Sequence, residues 1–411
     1  MKNKIIALIT IAIIITTISA VSVSAESVWW NGSWEYSMKL TFDNSDQEEN
    51  LTDFPVMVKL STSNFDYTKC NPDGSDIRFV DGLTELSYEI ELWNNTGDSI
   101  IWVNVIQIDG SSSTDYIQLY YGNENAVDNQ DPEGVWNNGY AGVWHMGDYG
   151  TNDRLDSTEN NNHGITHNFD GNEQVDGVIG HATLFSDDLI PLYNSGEYIN
   201  VSYDESFNVS EYTLSCWYNK ELSTLGSWTV FLGKGDERNG WGDISLATYR
   251  NTETMYAVRQ NETETWQGIW SGYNGIVENG TWVYAVNRYD GSTQTLTYGN
   301  ETSDLLWKYK NDTYGGTIQR DTPFRMGIID TTDQYYSGIM DEIRLSTVAR
   351  SNDWINAQYL SMNDEFITYG NENVSPFGWV LDVVVIFIFC LITMRVADYI
   401  TDSLNKKMGG K

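Results

Sequence analysis

Apolar and polar residues alternate in short segments over the N-terminal part of the chain, and Gly, Asn, Asp and Ser lie between the segments. In Tyr36–Asp43, for instance, Met38, Leu40 and Phe42 occupy every second position. A period of two places these side chains on one face of a β-strand. The segments predicted to be strands are Tyr36–Asp43, Phe54–Ser61, Asp76–Asp81, Leu86–Trp93, Ile100–Val105 and Tyr116–Tyr121. Strands at this spacing predict a small antiparallel β-sandwich over residues 26–123.

A last strand followed by a helix is predicted in Gly338–Tyr359. Its apolar residues Ile343 and Leu345 alternate with charged ones, as in a strand with one buried face. Ser351 is suited to cap a helix, and Asp353 would favour the first helical turn. The apolar residues that would dock this helix lie at helical spacing, namely Ile355, Tyr359 and Met362.

Two apolar runs lie at the ends of the chain. Met1–Ala25 has lysines before its apolar stretch and small residues at its end, which is typical of a secretory signal peptide; an uncleaved anchor is the alternative. Phe377–Met394 is just long enough for one transmembrane helix, and basic residues follow it. The positive-inside rule then places residues 26–376 outside the cell and residues 395–411 in a cytoplasmic tail.

The charge of the chain excludes one class of partner. There are 23 Lys and Arg residues against 58 Asp and Glu residues, which gives a net charge of −35. Such a field repels phosphate backbones, so we expect no nucleic-acid partner. Asn-x-Ser/Thr sequons suggest a glycoprotein. Their asparagines are Asn31, Asn50, Asn94, Asn200, Asn208, Asn261, Asn279, Asn300, Asn311 and Asn373.

The C-terminal half carries motifs of a known fold. The last strand and helix contain Gly338, Asp341, Glu342, Arg344, Ala349, Arg350, Ser351, Trp354 and Tyr359. Earlier segments fall in register with them: Ala141–Asp148, Asp156–Gly164, Tyr212–Tyr218 and Gly280–Asp290. Together they resemble the concanavalin A-like, laminin-G-like jelly-roll family over residues 140–370. The resemblance implies a buried Trp217 and an extracellular setting, and it names no ligand.

The N-terminal segment resembles a domain of unknown function common in archaeal and bacterial surface proteins, some of them fused to biopolymer-transport proton channels. The residues that carry this resemblance are Asp73–Phe79, Tyr88–Glu91, Trp102, Val103 and Tyr120–Asn123. The predicted fold class is therefore all-β, with two β-sandwich domains. The predicted boundaries are a signal peptide at 1–25, a small sandwich at 26–123, a linker at 124–139, a jelly roll at 140–370, a juxtamembrane linker at 371–376, a transmembrane helix at 377–394 and a tail at 395–411.

Acidic residues are the first candidates for chemistry. Jelly-roll hydrolases of the laminarinase type carry Glu-x-Asp-x-x-Glu on one strand, and we find no such motif. Glu89 and Glu91 share a strand face, which we interpret as solvated. We therefore expect no enzymatic activity, although carboxylates from separate strands remain an alternative source of a hydrolase site.

Calcium is the cofactor that the resemblance suggests. Many concanavalin A-like jelly rolls hold a structural Ca²⁺ between the start of the domain and an Asp of the last strand. Asp341 matches that strand position, and Asp156 lies in the early loop. Clustered carboxylate oxygens are the ligands that Ca²⁺ prefers. Two alternatives remain: Asp341 caps a turn, or Glu342 pairs with Arg344 or Arg350.

Aromatic residues are the candidates for ligand contact. Trp266, Trp270 and Tyr273 lie in a polar, Gly-rich stretch that we interpret as a loop, where exposed rings would stack on sugars. A loop that packs its own aromatic rings is the alternative. The histidines are interpreted as scattered polar residues rather than a zinc site: His145, His163, His167 and His181.

These patterns predict a single-pass (type I) surface glycoprotein whose jelly roll mediates non-enzymatic adhesion or glycan binding. A glycan or a surface protein is the expected partner, and homo-oligomers remain open. The alternatives are a viral or virus-like spike that binds a host surface, a structural envelope component, and a polysaccharide hydrolase.

Overall fold

The structure is a computed structural model that describes residues 29–186, 196–221, 228–235, 243–249, 254–260, 266–272, 277–311, 321–328, 335–376, 391–399 and 403. The chain divides into two compact units. One unit comprises Met1–Ser33 and Val374–Lys411, and the other comprises Trp34–Asn373. The predicted signal peptide and residues 377–390 of the predicted span lie outside the described residues. Within the described part, no helix is both long enough and apolar enough to cross a membrane.

The unit Trp34–Asn373 begins with a smaller sandwich. Its first strands are β1 (Tyr36–Phe42), β2 (Leu51–Leu60), β3 (Arg78–Asp81), β4 (Thr84–Glu85), β5 (Tyr88–Leu92), β6 (Ser99–Ile108) and β7 (Tyr116–Tyr121). A 3₁₀ turn lies at Tyr67–Lys69. The sequence predictions of these strands are confirmed, apart from the short β4. One sheet has the order β2-β6-β5, and the other contains β1-β7-β3-β4.

A strand from the far end of the unit, β23 (Ile367–Val374), extends the second sheet of the smaller sandwich beside β1. Side chains from both sheets meet in an apolar core that includes Leu40, Val56, Val103 and Leu119. Phe366, which directly precedes β23, lies in the same core. The smaller sandwich is therefore built from two segments that are distant in the sequence.

The larger sandwich follows a polar connection. Its strands are β8 (Tyr140–Trp144), β9 (Gly164–His167), β10 (Gln174–Asp176), β11 (His181–Phe185), β12 (Tyr198–Val201), β13 (Tyr212–Lys220), β14 (Trp228–Lys234), β15 (Ile244–Tyr249), β16 (Met255–Gln260), β17 (Trp266–Trp270), β18 (Trp282–Tyr289), β19 (Thr293–Asn300), β20 (Leu306–Asn311), β21 (Phe324–Met326) and β22 (Gly338–Ser346). A 3₁₀ turn lies at Glu205–Phe207. One sheet has the order β10-β11-β22-β13-β18-β19-β20, with β8 also paired to β22. The facing sheet has the order β17-β16-β15-β14-β21-β12-β9.

Both sheets of the larger sandwich contribute to one apolar core. Leu214 and Ile343 enter it from the sheet that contains β13 and β22, and Phe231 and Leu246 enter it from the facing sheet. The segment Trp266–Trp270, which the sequence suggested to be part of a loop, instead forms strand β17 at the edge of its sheet. The loop interpretation was wrong there because the segment pairs with β16 along its whole length.

Two α-helices connect these layers: α1 (Pro132–Val135) and α2 (Asn352–Met362). The predicted cap of α2 is confirmed, since the Ser351 hydroxyl accepts a hydrogen bond of 2.9 Å from the backbone N–H of Trp354. Such a cap satisfies one of the free N–H groups of the first turn and typically stabilises a helix by about 1 kcal/mol. Asp353 lies in the first turn, as predicted.

A third apolar cluster, which we call the junction, joins the two sandwiches. It includes Met57, Trp102, Trp136, Trp217, Tyr284, Ile355 and Tyr359. Strand alternation explains it: Ile101 and Val103 of β6 point into the core of the smaller sandwich, whereas Ile100 and Trp102 point into the junction. Trp217 is fully buried, as predicted. The sheet β2-β6-β5 thus packs against the β13-β22 sheet.

Candidate functional site

A cluster of charged side chains lies at the edge of the junction, and strand β5 supplies two of its carboxylates. Tyr88 and Ile90 face the core of the smaller sandwich, so Glu89 and Glu91 face the larger one. Their side chains are only 12% and 6% exposed. The interpretation of this strand face as solvated was wrong, because a second sandwich covers it.

His145 supplies the central side chain of the cluster. It directly follows β8, whose Trp144 points into the core of the larger sandwich. Its Nδ1 lies 2.7 Å from Glu342 Oε1, and its Nε2 lies 3.2 Å from Glu89 Oε2. The distance from Nδ1 to Glu91 Oε2 is 3.5 Å. The interpretation of His145 as a scattered polar residue was therefore wrong.

Strand β22 supplies Asp341 and Glu342 through a β-bulge. The pairing register of β13 and β22 shifts between Ser215 and Trp217, and Glu342 has a φ of 50° in the left-handed region. A bulge inserts one extra residue and re-aims a side chain. Met340, Ile343 and Leu345 therefore point into one core, while both consecutive carboxylates point out of it.

The Arg344 guanidinium completes the cluster from the same strand. Its Nη2 donates a hydrogen bond to Glu342 Oε2, so this predicted alternative for Glu342 is confirmed. The guanidinium carbon lies 4.3 Å from the ring centre of Trp102 and 4.8 Å from that of Trp136. Stacking on aromatic faces compensates part of the cost of burying this cation.

Further hydrogen bonds fix the carboxylates of β5. Trp102 Nε1 donates to Glu91 Oε2 at 2.7 Å, and Trp136 Nε1 donates to Glu89 Oε2 at 2.7 Å. The Ser157 hydroxyl donates to Glu89 Oε1 at 2.6 Å. β5 also carries a bulge, because its register with β6 shifts between Ile90 and Leu92. Both strands that supply carboxylates are thus irregular at the residues they contribute.

Within the cluster, two buried carboxylate oxygens lack a hydrogen-bond partner in the described part of the chain: Glu91 Oε1 and Asp341 Oδ1. The loop Gly177–Gly180 lies against both carboxylates. The backbone N–H of Ile179 donates to Asp341 Oδ2 at 3.0 Å, and a Cβ at Gly180 would lie 2.8 Å from Glu91 Oε1. An unpaired buried oxygen is costly, so this arrangement needs a proton or another ligand.

Burial and mutual interaction raise the pKa values of some members of the cluster and lower those of others. Burial raises the pKa of Glu91 to about 8, and repulsion by Glu342 adds to the rise. Burial and the same neighbour raise the pKa of Asp341 well above its usual value. Burial opposes the charge of His145, yet the surrounding carboxylates outweigh it and hold the His145 pKa well above its usual value. Despite burial, the pKa values of Glu89 and Glu342 are lowered because His145 lies beside both.

A cleft of about 200 Å³ gives access to the cluster from solvent. Its polar lining comes from both sandwiches and includes Glu89, Glu91, His145, Asp148, Ser157 and His181. A larger cleft of about 700 Å³ shares Leu92 and His181 with it. The two clefts therefore adjoin along the line where the sandwiches meet.

The two predicted calcium ligands, Asp341 and Asp156, lie in different parts of the larger sandwich. Asp341 belongs to the cluster described above. Asp156 accepts backbone N–H bonds from Val143, Thr158 and Asn162, so its oxygens hold a loop in place. The structure shows no contact between the two aspartates, and calcium binding stays a prediction.

The other predicted positions are spread over the surface. Trp270 is 47% exposed on the edge strand β17; the side chain of Trp266 and the whole of Tyr273 lie outside the description. Asn261 is also outside it. The sequon asparagines that the structure shows exposed are Asn50, Asn94, Asn311 and Asn373. Partly buried ones are Asn31, Asn200, Asn208, Asn279 and Asn300. Ligand contact and glycosylation stay predictions.

Comparison with known proteins adds one family match. Residues 73–173 match the model of a domain of unknown function (DUF2341). The matched segment runs from the smaller sandwich into the larger one, and it includes Glu89, Glu91 and His145. Since it covers a minor part of the chain, it describes that segment alone. No curated protein matches the chain.

Solved structures show weak likeness. The binding domain of Paraclostridial Mosquitocidal Protein 1 matches at 13% identity and a TM-score of 0.41, over 54% of this chain and 52% of that one. The receptor binding domain of botulinum neurotoxin mosaic serotype C/D matches at 13% and 0.40, over 55% and 51%. Domain 4 of AbnA, an extracellular arabinanase from Geobacillus stearothermophilus, matches at 19% and 0.38, over 55% and 98%. This chain thus spans about half the length of the first of these structures, and its fold is defined by its own sheets and cores.

Proposed function

We propose that this chain is a membrane-anchored surface glycoprotein that binds a ligand without cleaving it. In this proposal residues 1–25 direct export, 377–394 anchor the chain, and the two sandwiches lie outside the cell. The larger sandwich would be a jelly roll of the concanavalin A-like, laminin-G-like kind. The acidic composition and the sequons support an exported protein, and the alternation of apolar residues supports the two sandwiches.

The cleft beside the charged cluster is the proposed binding site, and one observation carries this choice. Side chains of both sandwiches line it, and the junction fixes the sandwiches to each other. A site on such a rigid frame loses little entropy when it binds. Asp148 and Glu89 offer oxygens that accept hydrogen bonds, and Leu155, 54% exposed, offers an apolar surface.

The charge of the cleft selects the ligand class. Its carboxylates would accept hydrogen bonds from sugar hydroxyl or amino groups, while they repel sulfated, phosphorylated or sialylated glycans. We therefore infer a neutral or amino sugar as the ligand. A hydrogen bond to a charged group contributes about 1.5–3 kcal/mol, which corresponds to roughly tenfold or more in affinity.

A glycan array with residues 26–376, run with calcium and with chelator, tests this proposal. We expect binding to neutral or amino-sugar glycans and at least a tenfold weaker affinity for Asp148→Asn, whose amide oxygen still accepts the N–H of Leu155. Trp270→Ala, on β17, should change affinity less than twofold. If Trp270→Ala lost binding while Asp148→Asn kept it, the binding site would have to be assigned to β17. An array without any binding would disprove glycan recognition.

A further inference from the structure

We propose that Glu91, His145 and Glu342 bind one divalent transition-metal ion of the zinc class, which links the two sandwiches. Glu91 comes from the smaller sandwich, and the other two residues come from the larger one. Their ligand atoms all lie within 4.8 Å of one another. This site differs from the calcium site predicted at Asp341 and Asp156, and it does not depend on glycan binding.

The distances fit such an ion after a small adjustment. Bonds of about 2.0–2.1 Å in a tetrahedron place ligand atoms roughly 3.3 Å apart. His145 Nδ1 lies 3.5 Å from Glu91 Oε2 and 2.7 Å from Glu342 Oε1. Moving the Glu342 carboxylate by roughly 0.6 Å would bring its distance from Nδ1 to the tetrahedral value. All three ligand atoms already lie within 4.8 Å of one another.

An unpaired oxygen is the second, independent observation. Glu91 is more than nine-tenths buried, yet its Oε1 has no hydrogen-bond partner in the described part of the chain. Asp341 Oδ1, in a fully buried side chain nearby, has none either. A cation bound among these carboxylates would compensate the lone pairs that protein donors leave unmet.

The charge balance points the same way. The carboxyl groups in and around the site are Glu89, Glu91, Asp341 and Glu342, whereas the cation that faces them besides His145 is Arg344. With all four carboxyl groups ionised, a divalent ion would offset the resulting excess of negative charge within the low-dielectric interior. Outside the site, Asp148 also faces His145.

The surrounding contacts hold the ligands as metal sites require. Ligating groups are usually oriented by further hydrogen bonds, and losing those bonds weakens metal affinity. Trp102 fixes Glu91, Arg344 fixes Glu342, and Glu89 bonds the free Nε2 of His145. A neutral His145 that donates from Nε2 to Glu89 keeps its Nδ1 lone pair for the metal.

The ligand types select the ion. Imidazole nitrogen with carboxylate oxygens suits Zn²⁺ and related transition metals, whereas Ca²⁺ takes oxygen ligands. Three protein ligands leave a fourth position, and the 200 Å³ cleft beside Glu91 and His145 lets the ion and a water molecule reach it. The bulge at Glu342 aims that carboxylate at the ion.

Calorimetric titration of the metal-free full-length chain with Zn²⁺, in mild detergent, tests the proposal. We expect one Zn²⁺ per chain with a Kd in the micromolar range or below, and a melting temperature that rises by several degrees. Co²⁺ should give visible absorption bands that Zn²⁺ abolishes. Glu91→Gln and His145→Gln should each weaken Zn²⁺ binding at least tenfold.

His181→Gln is the matched control, since His181 lines the same cleft but lies outside the ligand set. Its affinity should stay within twofold of that of the wild type. The wild-type Co²⁺ spectrum decides the question even if a ligand variant misfolds, which circular dichroism would reveal. Absence of stoichiometric Zn²⁺ and Co²⁺ uptake, uptake of Ca²⁺ alone, or equal affinity in folded Glu91→Gln would each overturn the proposal.

Discussion

The two faces of β22 are both buried, but they are buried in different ways. One face presents Met340, Ile343 and Leu345 to the apolar core of the larger sandwich. The other presents Glu342 and Arg344 to the junction. An apolar face tolerates any neighbour of the right volume, whereas a charged face needs partners at defined distances and angles. The second face therefore constrains how the sandwiches meet.

The largest expected effect comes from the charged face. Arg344→Met removes the guanidinium that bonds Glu342, and breaking one side of a buried ion pair typically costs about 3–5 kcal/mol. We expect this loss in the free energy of unfolding, measured by urea denaturation in chelator. Adding Glu342→Gln should recover part of it, because the uncompensated charge disappears. If the double variant were less stable than Arg344→Met, the proposed stabilisation by the ion pair of Glu342 and Arg344 would be wrong.

The apolar face gives the next effect. Leu345→Ala leaves a cavity in the core of the larger sandwich and should cost about 2–5 kcal/mol. Because apolar contacts carry no titrating group, the cost should be equal at pH 6 and pH 8 in urea denaturation. A cost that varies with pH would mean that the two faces are coupled.

The smallest effect, per pH unit, is the pH dependence of the metal-free junction. The folded pKa of Glu91, about 8, exceeds its usual 4.5, and that of His145 lies well above 6.5. Each group holds a proton that the unfolded chain releases, so the stability due to Glu91 is lost as pH rises from about 4.5 towards 8, and that due to His145 is lost as pH rises above 6.5. The slope is about 1.4 kcal/mol per pH unit for each such proton.

Urea midpoints across this pH range, in chelator, measure the slope. The groups that face the two titrating side chains are Glu89, Asp148, Asp341, Glu342 and Arg344. Glu91→Gln should flatten the profile, while Leu345→Ala should shift it downwards without a change in slope. An unchanged slope in Glu91→Gln would show that the proton resides elsewhere.

Local patterns in the sequence were sufficient for much of the fold. The alternation in β1 or β7 depends only on neighbours within the strand, and the cap at Ser351 depends on residues three positions away. In contrast, β23 carries Gly370 and Asn371 and has little apolar alternation. Pairing with β1, more than 300 residues earlier, makes it a strand, and no local signal indicates that.

The charged cluster was not predictable for a related reason. Its members come from β5, the end of β8 and β22, and a bulge in β22 places two consecutive carboxylates on the same side of the strand. One signal was present in the sequence: β13, YTLSCWYNK, lacks a clear polar face. A strand buried on both faces implies another layer. That layer would have placed Glu89 and Glu91 in the interior rather than in solvent.

The position of β23 has a consequence for the order in which the protein acquires its structure. A ribosome delivers β1 to β7 first, but the sheet that contains β1 is finished only when residues 367–374 emerge, after the entire larger sandwich. Until then the edge of β1 has no neighbour on that side, and Trp354 and Phe366 are missing from the core beneath it. The first domain to be synthesised is thus the last to be completed, and truncating the chain before residue 367 would leave it open.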